Sequence, residues 1–182
     1  VPIAVVAGSD ENMKITESID VFIADKLFQL KSATTEGLSS AEREQELTGK
    51  TVVVFGGSEG IGAAIADAAQ RFGASVFPFS RSSTGTDIRK RKRVRAALQQ
   101  AHAESGRVDY VVNCAGVLEM GGLDTFSHEA VKNTIQVNLM GPIIIAQESL
   151  PYLKETRGQL LYFTSSSYTR GRANYGMYSA TK

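Results

Sequence analysis

The chain has 182 residues, of which 42% are hydrophobic and 21% charged, and its formal net charge is +1. This composition is typical of a soluble globular protein with room for one domain and little more. A charge so close to zero gives no reason to expect a nucleic-acid partner, and no apolar run approaches the ~20 residues of a membrane span. The single cysteine, Cys114, excludes an internal disulfide, so we expect a reducing, cytoplasmic location.

The first part of the chain predicts a strand at Val1–Ala7 and then a helix that Thr16 or Ser18 can cap. Apolar residues recur on one face of this helix, so we expect that face to pack on an absent upstream segment or on the rest of the chain. Residues 31–48 are rich in Ser, Thr, Glu and Gln. They are therefore interpreted as a linker, with a short helix at Ser40–Leu47.

From Thr48 onward, predicted strands and helices alternate, and Asp87 is the predicted N-cap of the second helix. Strands separated by helices of this length predict an α/β fold with a parallel sheet and right-handed crossovers. The strands are expected at 51–55, 74–79, 108–113 and 159–164, and the helices at 61–72, 88–103, 127–139 and 142–156.

A glycine-rich turn, Gly56-Gly57-Ser58-Glu59-Gly60-Ile61-Gly62, joins the first of these strands to its helix. Gly56 permits a tight turn, Gly60 lets backbone N–H groups approach a pyrophosphate, and Gly62 allows the helix to pack close to the strand. The helix N-terminus then directs its positive dipole end at the anion. The alternative is a strand-to-helix turn that binds no ligand, because this glycine spacing alone is a weak signal.

The second strand is followed by Ser80-Arg81-Ser82. An acidic residue here would bind the ribose hydroxyls of NAD, whereas Arg81 can pair with a 2′-phosphate. Ser80 leaves room for that phosphate, and Ser82 adds a hydroxyl. The pattern favours NADP(H) over NAD(H), unless Arg81 is a solvated loop cation. The basic run from Arg89 to Arg95 is interpreted as the solvated face of a helix, with help to the cofactor phosphate as a further role, rather than as a nucleic-acid site.

Tyr178 and Lys182 are four residues apart, so on a helix both side chains lie on one face. A carbonyl reductase needs a proton donor for the oxygen as hydride reaches the carbon, and an adjacent ammonium stabilises the tyrosinate that remains. Arg170 and Arg172 precede this pair, and they can bind a substrate phosphate or be solvated loop cations. His102 lacks metal-ligand spacing, as does the other histidine, so no metal site is predicted.

Three motifs together resemble those of the short-chain dehydrogenase/reductase family. Phe55–Gly62 resembles the fingerprint T-G-x-x-x-G-x-G, with Phe55 in place of the threonine. Asn113-Cys114-Ala115-Gly116 resembles the family's N-N-A-G, with Cys114 in place of the second asparagine, and we interpret this cysteine as a small buried hydrophobe. Tyr178-x-x-x-Lys182 follows at the family's order and distance. Residues 49–182 are therefore identified as the N-terminal part of such a domain, a Rossmann-type doubly wound parallel sheet truncated at its C-terminus.

The resemblance implies an NADPH-dependent carbonyl reductase acting on a small molecule, and it assigns the site. Asn138 would orient a water behind the lysine, unless it is a helix-interior polar residue with local bonds only. The catalytic residues would be Asn138, Ser165 (with Ser166 as the alternative), Tyr178 and Lys182. The cofactor-binding residues would be Gly56, Ser58, Glu59, Gly60, Ile61, Gly62, Ser80, Arg81, Ser82, Asp87, Ile88, Asn113, Ala115, Gly116, Tyr178 and Lys182.

The family's later helices and strands, which complete the substrate pocket and much of the oligomer contact, are not in the sequence. We therefore expect a homo-oligomer only for the full-length protein, and an isolated 182-residue chain that is unstable and inactive.

Residues 1–30 resemble the C-terminal end of methylerythritol-phosphate and ribitol-phosphate cytidylyltransferases. That end carries the pattern G-s-x-x-N-x-K-x-T-x-x-x-D, which runs here from Gly8 to Asp20 and places Lys14 near the transferase's substrate phosphate. The resemblance implies the remnant of a second α/β domain at 1–30, before a linker at 31–48.

The order of the two domains resembles fused enzymes that make CDP-ribitol, whose reductase half converts ribulose 5-phosphate to ribitol 5-phosphate. A sugar phosphate is the substrate that this implies. Two rival hypotheses stay open: a reductase of a 3-oxoacyl, steroid or other sugar substrate, and a non-catalytic module that binds NADP(H).

Overall fold

A computed structural model describes residues 13–33, 37–168 and 170–182 of the chain. The chain divides into two compact units, Val1–Ser39 and Ser40–Lys182. The predicted strand at Val1–Ala7 lies outside the described residues. In the ranges that are described, no helix combines the length and apolar character that crossing a membrane requires.

The first unit contains helix α1, Ser18–Ala33, and a carboxylate organises its start. The backbone N–H groups of Thr16 and Glu17 both donate to Oδ2 of Asp20 at 2.9 Å. These bonds lower the pKa of Asp20. The Thr16–Asp20 spacing is therefore a capping arrangement, in which a side chain satisfies N–H groups that lack helical partners. Ile19 and Phe22 are 60% and 59% exposed, so the predicted apolar face is not buried within the described part of this unit.

The second unit alternates strands and helices as predicted. Helix α2 falls inside the predicted linker, and its Leu47 packs against the core of this unit. The elements are α2 Ser40–Leu47, β1 Thr51–Phe55, α3 Gly60–Arg71, β2 Ser75–Phe79, α4 Arg91–Ser105, β3 Tyr110–Asn113, α5 His128–Ile135, a π-helical turn Gln136–Met140, α6 Gly141–Thr156, β4 Gln159–Tyr162, a 3-10 turn Ser166–Tyr168 and α7 Gly176–Thr181.

The four strands form one parallel sheet in the order β2-β1-β3-β4. Val53 and Phe55 point to the face covered by α4 and α6, and Val52 and Val54 point to the face covered by α3. Burial on both faces explains why β1 is a continuous apolar run rather than an alternating one. The predicted α/β fold with a doubly wound parallel sheet is confirmed.

One predicted helix start is wrong. Helix α4 begins at Arg91, and its N-cap position is Lys90 rather than Asp87. The carboxylate of Asp87 instead accepts hydrogen bonds from the backbone N–H of Arg89 at 3.0 Å and from its guanidinium. These bonds close a local turn, a common competitor of helix capping for aspartate, so the chain enters the helix three residues later than predicted.

Asp109 holds together the strand ends opposite the glycine turn. Its side chain is 4% exposed and accepts hydrogen bonds from the Thr51 backbone N–H at 2.9 Å and from Arg107 at 2.6 and 2.8 Å. Lys50 adds a cation at 3.8 Å. Burial acts to raise the pKa of Asp109, but the bonds from Arg107 and Thr51 and the neighbouring charges outweigh burial and lower it.

We expect Asp109→Asn to lower the free energy of unfolding by about 1–3 kcal/mol, because an amide leaves buried donors unpaired. A carboxylate whose folded-state pKa is lowered stabilises fully above its unfolded pKa, and this contribution is lost as pH falls through the folded value. The difference in the free energy of unfolding between wild type and variant, measured by urea unfolding, should therefore narrow as pH drops below 3.8, the ordinary pKa of an aspartate. Asp67→Asn, at an exposed position of α3, is the control. A difference that does not change with pH would contradict this assignment.

Candidate active site

A cavity of about 410 Å³ opens at the carboxyl ends of β1 and β3. From β1 the chain passes through α3 to β2, which lies next to β1 in the sheet, and then crosses through α4 to β3 on the opposite flank of β1. Open α/β sheets bind ligands at such a switch point. The lining residues come from the segments after β1, β2 and β3 and from the π-helical turn. They are Gly56, Ser58, Glu59, Gly60, Ile61, Gly62, Ser80, Arg81, Ser82, Thr86, Asp87, Ile88, Arg89, Cys114, Ala115, Gly116, Val117 and Val137.

The glycine turn leaves no room for a side chain at Gly56 or at Gly62. Gly56 has a φ of +80°, in the left-handed region, and its N–H donates to the Phe79 carbonyl at 2.8 Å. A Cβ on Gly56 would lie 2.5 Å from the backbone nitrogen of Ala115, and one on Gly62 would lie 2.1 Å from the Gly56 carbonyl oxygen. The N-terminus of α3 therefore faces the cavity with bare backbone, an arrangement that fits a pyrophosphate.

Hydroxyl groups cluster beside Arg81 at the β2 end of the cavity. The Ser80 hydroxyl lies 2.6 Å from that of Ser83 and 3.2 Å from that of Ser82. The Ser82 hydroxyl donates in turn to that of Ser58 at 3.3 Å. The structure thus brings together the predicted Ser58, Ser80, Arg81 and Ser82. Hydroxyls next to a guanidinium are groups that hold a phosphate monoester.

Arg89 is a cavity residue that the sequence interpretation assigned to a solvated face. Its guanidinium grips both carboxylate oxygens of Asp87 and donates to Oδ1 of Asn133 on α5 at 2.8 Å. The hydrogen bonds from Arg89, which outweigh burial, lower the pKa of Asp87. Within the rest of the basic run, some side chains are paired rather than solvated, since Arg91 and Arg95 both form ion pairs with Glu148 of α6.

The segment after β3 contributes backbone and a thiol. Asn113 is buried and lies behind the cavity lining, where its Oδ1 accepts from the Ala115 N–H at 3.1 Å and holds the turn. Cys114 is half-buried and lines the cavity. Burial raises the pKa of its thiol, although the charge of Lys182 opposes this. A raised pKa favours the neutral thiol, as expected for a small apolar side chain.

Tyr178 and Lys182 lie on α7 and its C-cap, where the Lys182 N–H donates to the Tyr178 carbonyl at 3.1 Å. This bond continues the helical turn, so the two side chains keep their predicted spacing. A Cβ built on Gly116 would lie 3.9 Å from Nζ of Lys182, so the ammonium adjoins the segment that follows β3. Burial lowers the pKa of Lys182, and the nearby Cys114 opposes this.

Asn138 lies in the π-helical turn and joins that segment to α7. Its Oδ1 accepts from the Val117 N–H, and its Nδ2 donates to the Val117 carbonyl, both at 2.9 Å. Nδ2 also lies 3.2 Å from the Thr181 hydroxyl. These partners are 21 and 43 residues away, so the alternative of purely local bonding is wrong.

The serine candidates lie in the turn that precedes α7. Ser165 is half-buried, and its hydroxyl accepts from the Ser167 N–H at 3.2 Å, whereas Ser166 is exposed. Ser167 is buried, and its hydroxyl has no hydrogen-bond partner in the part of the chain that the structure describes. The catalytic candidates all lie outside the cavity lining, and Lys14 belongs to the first unit.

The predicted site residues include most of the cavity wall, but they omit Thr86, Arg89, Cys114, Val117 and Val137. The Asp87-x-Arg89 spacing was the available signal for Arg89, because an aspartate and an arginine two residues apart can close a turn. Val117 and Val137 are ordinary apolar residues that tertiary packing brings to the cavity, so no local pattern marks them.

The sequence model described as short chain dehydrogenase matches residues 80–182. The chain is 41% identical over 181 residues, 99% of its length, to the bifunctional ribulose 5-phosphate reductase/CDP-ribitol pyrophosphorylase Bcs1 of Haemophilus influenzae. It spans only 38% of that relative.

Solved structures with the same fold include complexes with both nicotinamide cofactors. A short chain dehydrogenase from Burkholderia cenocepacia in complex with NADP superposes with a TM-score of 0.70 at 29% identity, covering 75% of this chain and 64% of the other. A 3-ketoacyl-(acyl-carrier-protein) reductase from Brucella melitensis complexed with NADH gives 0.68 at 26% identity, covering 74% and 65%. From the family match, the shared fold and the motif geometry, the chain belongs to the short chain dehydrogenase family.

Proposed function

We propose that the chain carries the cofactor site and the catalytic centre of an NADPH-dependent reductase that converts D-ribulose 5-phosphate to D-ribitol 5-phosphate. The main observation in support of this proposal is that Asn138 links the segment after β3, at Val117, to the helix that carries Tyr178 and Lys182. The substrate is inferred from the 41% identity, over nearly the whole chain, to a relative named as a ribulose 5-phosphate reductase.

A nicotinamide dinucleotide fits the residues present. The bare backbone at Gly56 and Gly62 would take the pyrophosphate, and the hydroxyls around Arg81 would take the 2′-phosphate. Asp87 and Ile88 line the same cavity and would border the adenine. When bound, the reduced cofactor supplies the hydride that the carbonyl carbon receives.

The residues of the chain supply the proton and hold the ketone. The Tyr178 hydroxyl gives its proton to the carbonyl oxygen, and the Ser165 hydroxyl donates a hydrogen bond to the same oxygen. One hydride on carbon and one proton on oxygen convert the ketone to an alcohol. The Lys182 ammonium stabilises the tyrosinate, and its half-burial strengthens this effect because less water screens the charge.

One of the two exposed arginines in the loop before α7, Arg170 or Arg172, is the proposed contact for the phosphate of the substrate. The small-molecule substrate is proposed to be a sugar phosphate. We place the reaction in the cytoplasm, in keeping with a half-buried cysteine in its thiol form, and propose that the protein acts as a homo-oligomer.

The upstream unit is proposed to be the tail of a cytidylyltransferase at residues 1–30, with Lys14 near that enzyme's substrate phosphate and a linker at 31–48. The similarity to the bifunctional relative covers 99% of the chain. The two reductase structures compared above cover 74 and 75%. The upstream residues are therefore shared with a protein whose name includes a pyrophosphorylase activity.

Arg81→Ala tests the cofactor preference. We expect the Kd for NADPH to rise about tenfold or more and the Kd for NADH to stay unchanged, because a charge-assisted bond to the 2′-phosphate contributes about 1.5–3 kcal/mol. Nicotinamide fluorescence titration measures both constants. Arg93→Ala, at an exposed arginine of α4, is the matched control. Equal weakening for the two cofactors would rule out the 2′-phosphate contact.

The substrate itself is tested by following the absorbance of NADPH with D-ribulose 5-phosphate, in the protein at its full natural length. Consumption of NADPH is the expected result. Absence of consumption while NADPH is bound would reject this substrate and direct the search to 3-oxoacyl, steroid and other sugar ketones. Binding without turnover of any of them would favour a module that only binds the cofactor.

A further inference from the structure

We propose that the loop from Arg170 to Tyr175 forms an anion subsite in which Arg172, and not Arg170, holds the phosphate of the substrate. This inference rests on the proposed function and assigns one residue and one geometry to its specificity.

The backbone of this loop is held in a defined turn. Asn174 has a φ of +67°, in the left-handed region that favours glycine, and asparagine is among the few other residues that enter it. The Tyr175 N–H donates to the Arg172 carbonyl at 3.3 Å and closes the turn. The Gly121 N–H donates to the Asn174 carbonyl at 3.0 Å, which attaches the loop to the segment that follows β3.

This turn places the Arg172 side chain against Tyr175, which in turn contacts the proposed proton donor, Tyr178. Its guanidinium carbon lies 5.8 Å from the centroid of the Tyr175 ring. That ring meets the Tyr178 ring edge-on, with centroids 6.1 Å apart and an interplanar angle of 83°. The Tyr175 ring therefore contacts both the Arg172 cation and the ring of the phenol that protonates the ketone.

The guanidinium is available for a ligand. A guanidinium over an aromatic ring is attracted to the ring through its charge. Its N–H groups still point outward in the guanidinium plane, where two phosphate oxygens can accept a bidentate pair of hydrogen bonds. Arg172 is exposed, and within residues 13–33, 37–168 and 170–182 it forms no salt bridge. No carboxylate described in the structure has to be displaced when an anion binds.

The dimensions fit a pentulose 5-phosphate. Five bonds separate the keto carbon from phosphorus, which spans about 6 Å in an extended chain with ordinary bond lengths. The centroids of the Tyr175 and Tyr178 rings are 6.1 Å apart. The phosphate of a ketone bound at the Tyr178 hydroxyl thus reaches about as far as the neighbouring Tyr175 ring, which the Arg172 guanidinium contacts. Arg170 makes no ring contact among the described residues, so it is the matched control.

The test compares Arg172→Gln with Arg170→Gln in the protein at its full natural length, using D-ribulose 5-phosphate and unphosphorylated D-ribulose. We expect Arg172→Gln to raise the KM for the phosphate ester about 10- to 100-fold, the loss of a charge-assisted pair. The kcat/KM for D-ribulose should stay within about twofold, since that sugar has no anion to lose. Arg170→Gln should change neither value, and Arg172→Lys should recover part of the loss as a point charge.

Binding gives an independent readout. Calorimetry of ribitol 5-phosphate with the NADP⁺-saturated protein should show the same loss in Arg172→Gln and none in Arg170→Gln. An equal loss for both sugars would show that Arg172 only orders the loop, and an unchanged KM would show that it binds no phosphate. Either result overturns the subsite.

If the wild-type protein reduces neither sugar, the proposed function fails. Inorganic phosphate binding, measured by calorimetry, then decides on the subsite alone. Binding that Arg172→Gln abolishes and Arg170→Gln keeps supports it, and any other pattern overturns it.

Discussion

Tyr178→Phe is expected to lower kcat about a thousandfold while the Kd for NADPH stays within about twofold, because a positioned general acid contributes 10²–10⁴-fold to the rate. The phenyl ring keeps its edge contact with Tyr175, so the change removes a proton and little else. Stopped-flow oxidation of NADPH measures the rate, and nicotinamide fluorescence measures binding.

Tyr175→Phe is the control for this variant, since it loses a hydroxyl three residues away and keeps its ring beside the Tyr178 phenol.

The pH profile of turnover adds a second check. Burial lowers the pKa of the Lys182 ammonium below its ordinary value of 10.5. Turnover that depends on this charge should therefore fall, as pH rises, earlier than a free lysine would predict. Wild-type rates in Tyr178→Phe would exclude Tyr178 as the proton donor.

Gly62→Ala is expected to weaken NADPH binding at least a hundredfold and to lower the free energy of unfolding by about 3 kcal/mol, the upper end for forced overpacking. The new methyl group would lie 2.1 Å from the Gly56 carbonyl oxygen and 2.9 Å from its carbonyl carbon. Both atoms belong to the backbone of the turn, so no side-chain rotation can relieve the clash. The turn that accepts the pyrophosphate must open instead.

Fluorescence titration and urea unfolding of the same preparation separate the two effects of Gly62→Ala. Gly171→Ala is the control, since a Cβ there meets no atom of the described residues within 4 Å and its backbone does not lie in the left-handed region. NADPH binding of wild-type strength in Gly62→Ala would show that the turn has room to relax and that its tightness is not required.

The fold was predictable where local pattern and tertiary burial demand the same residues. The run Thr51–Phe55 is β-branched and aromatic because β1 is buried on both faces, and this signal survives in any context. The start of α4 was not predictable from the same rules. Asp87 has the side chain of a helix cap, but the guanidinium of Arg89 competes for its carboxylate and wins.

The candidate site divides along the same line. Gly56 and Gly62 were predictable because the turn has no room for a Cβ at either position, and Tyr178 and Lys182 were predictable from their helical spacing. Asn138 was placed in a predicted α-helix, and the π-helical turn around it depends on packing that no short sequence window contains. Arg172 was a candidate because it precedes Tyr178 closely in the sequence. Its contact with the Tyr175 ring depends on the turn at Asn174, whose φ lies in the left-handed region.

The amide of Asn138 links the wall of the cavity at Val117 to the helix that carries Tyr178 and Lys182. Any displacement of Val117, whose backbone N–H and carbonyl are both held by this side chain, pulls on Thr181 and so on the helix between Tyr178 and Lys182. We expect that a nucleotide bound against the segment after β3 also restrains the helix that carries Tyr178 through these hydrogen bonds. Cofactor first and substrate second is the binding order that we expect from this linkage.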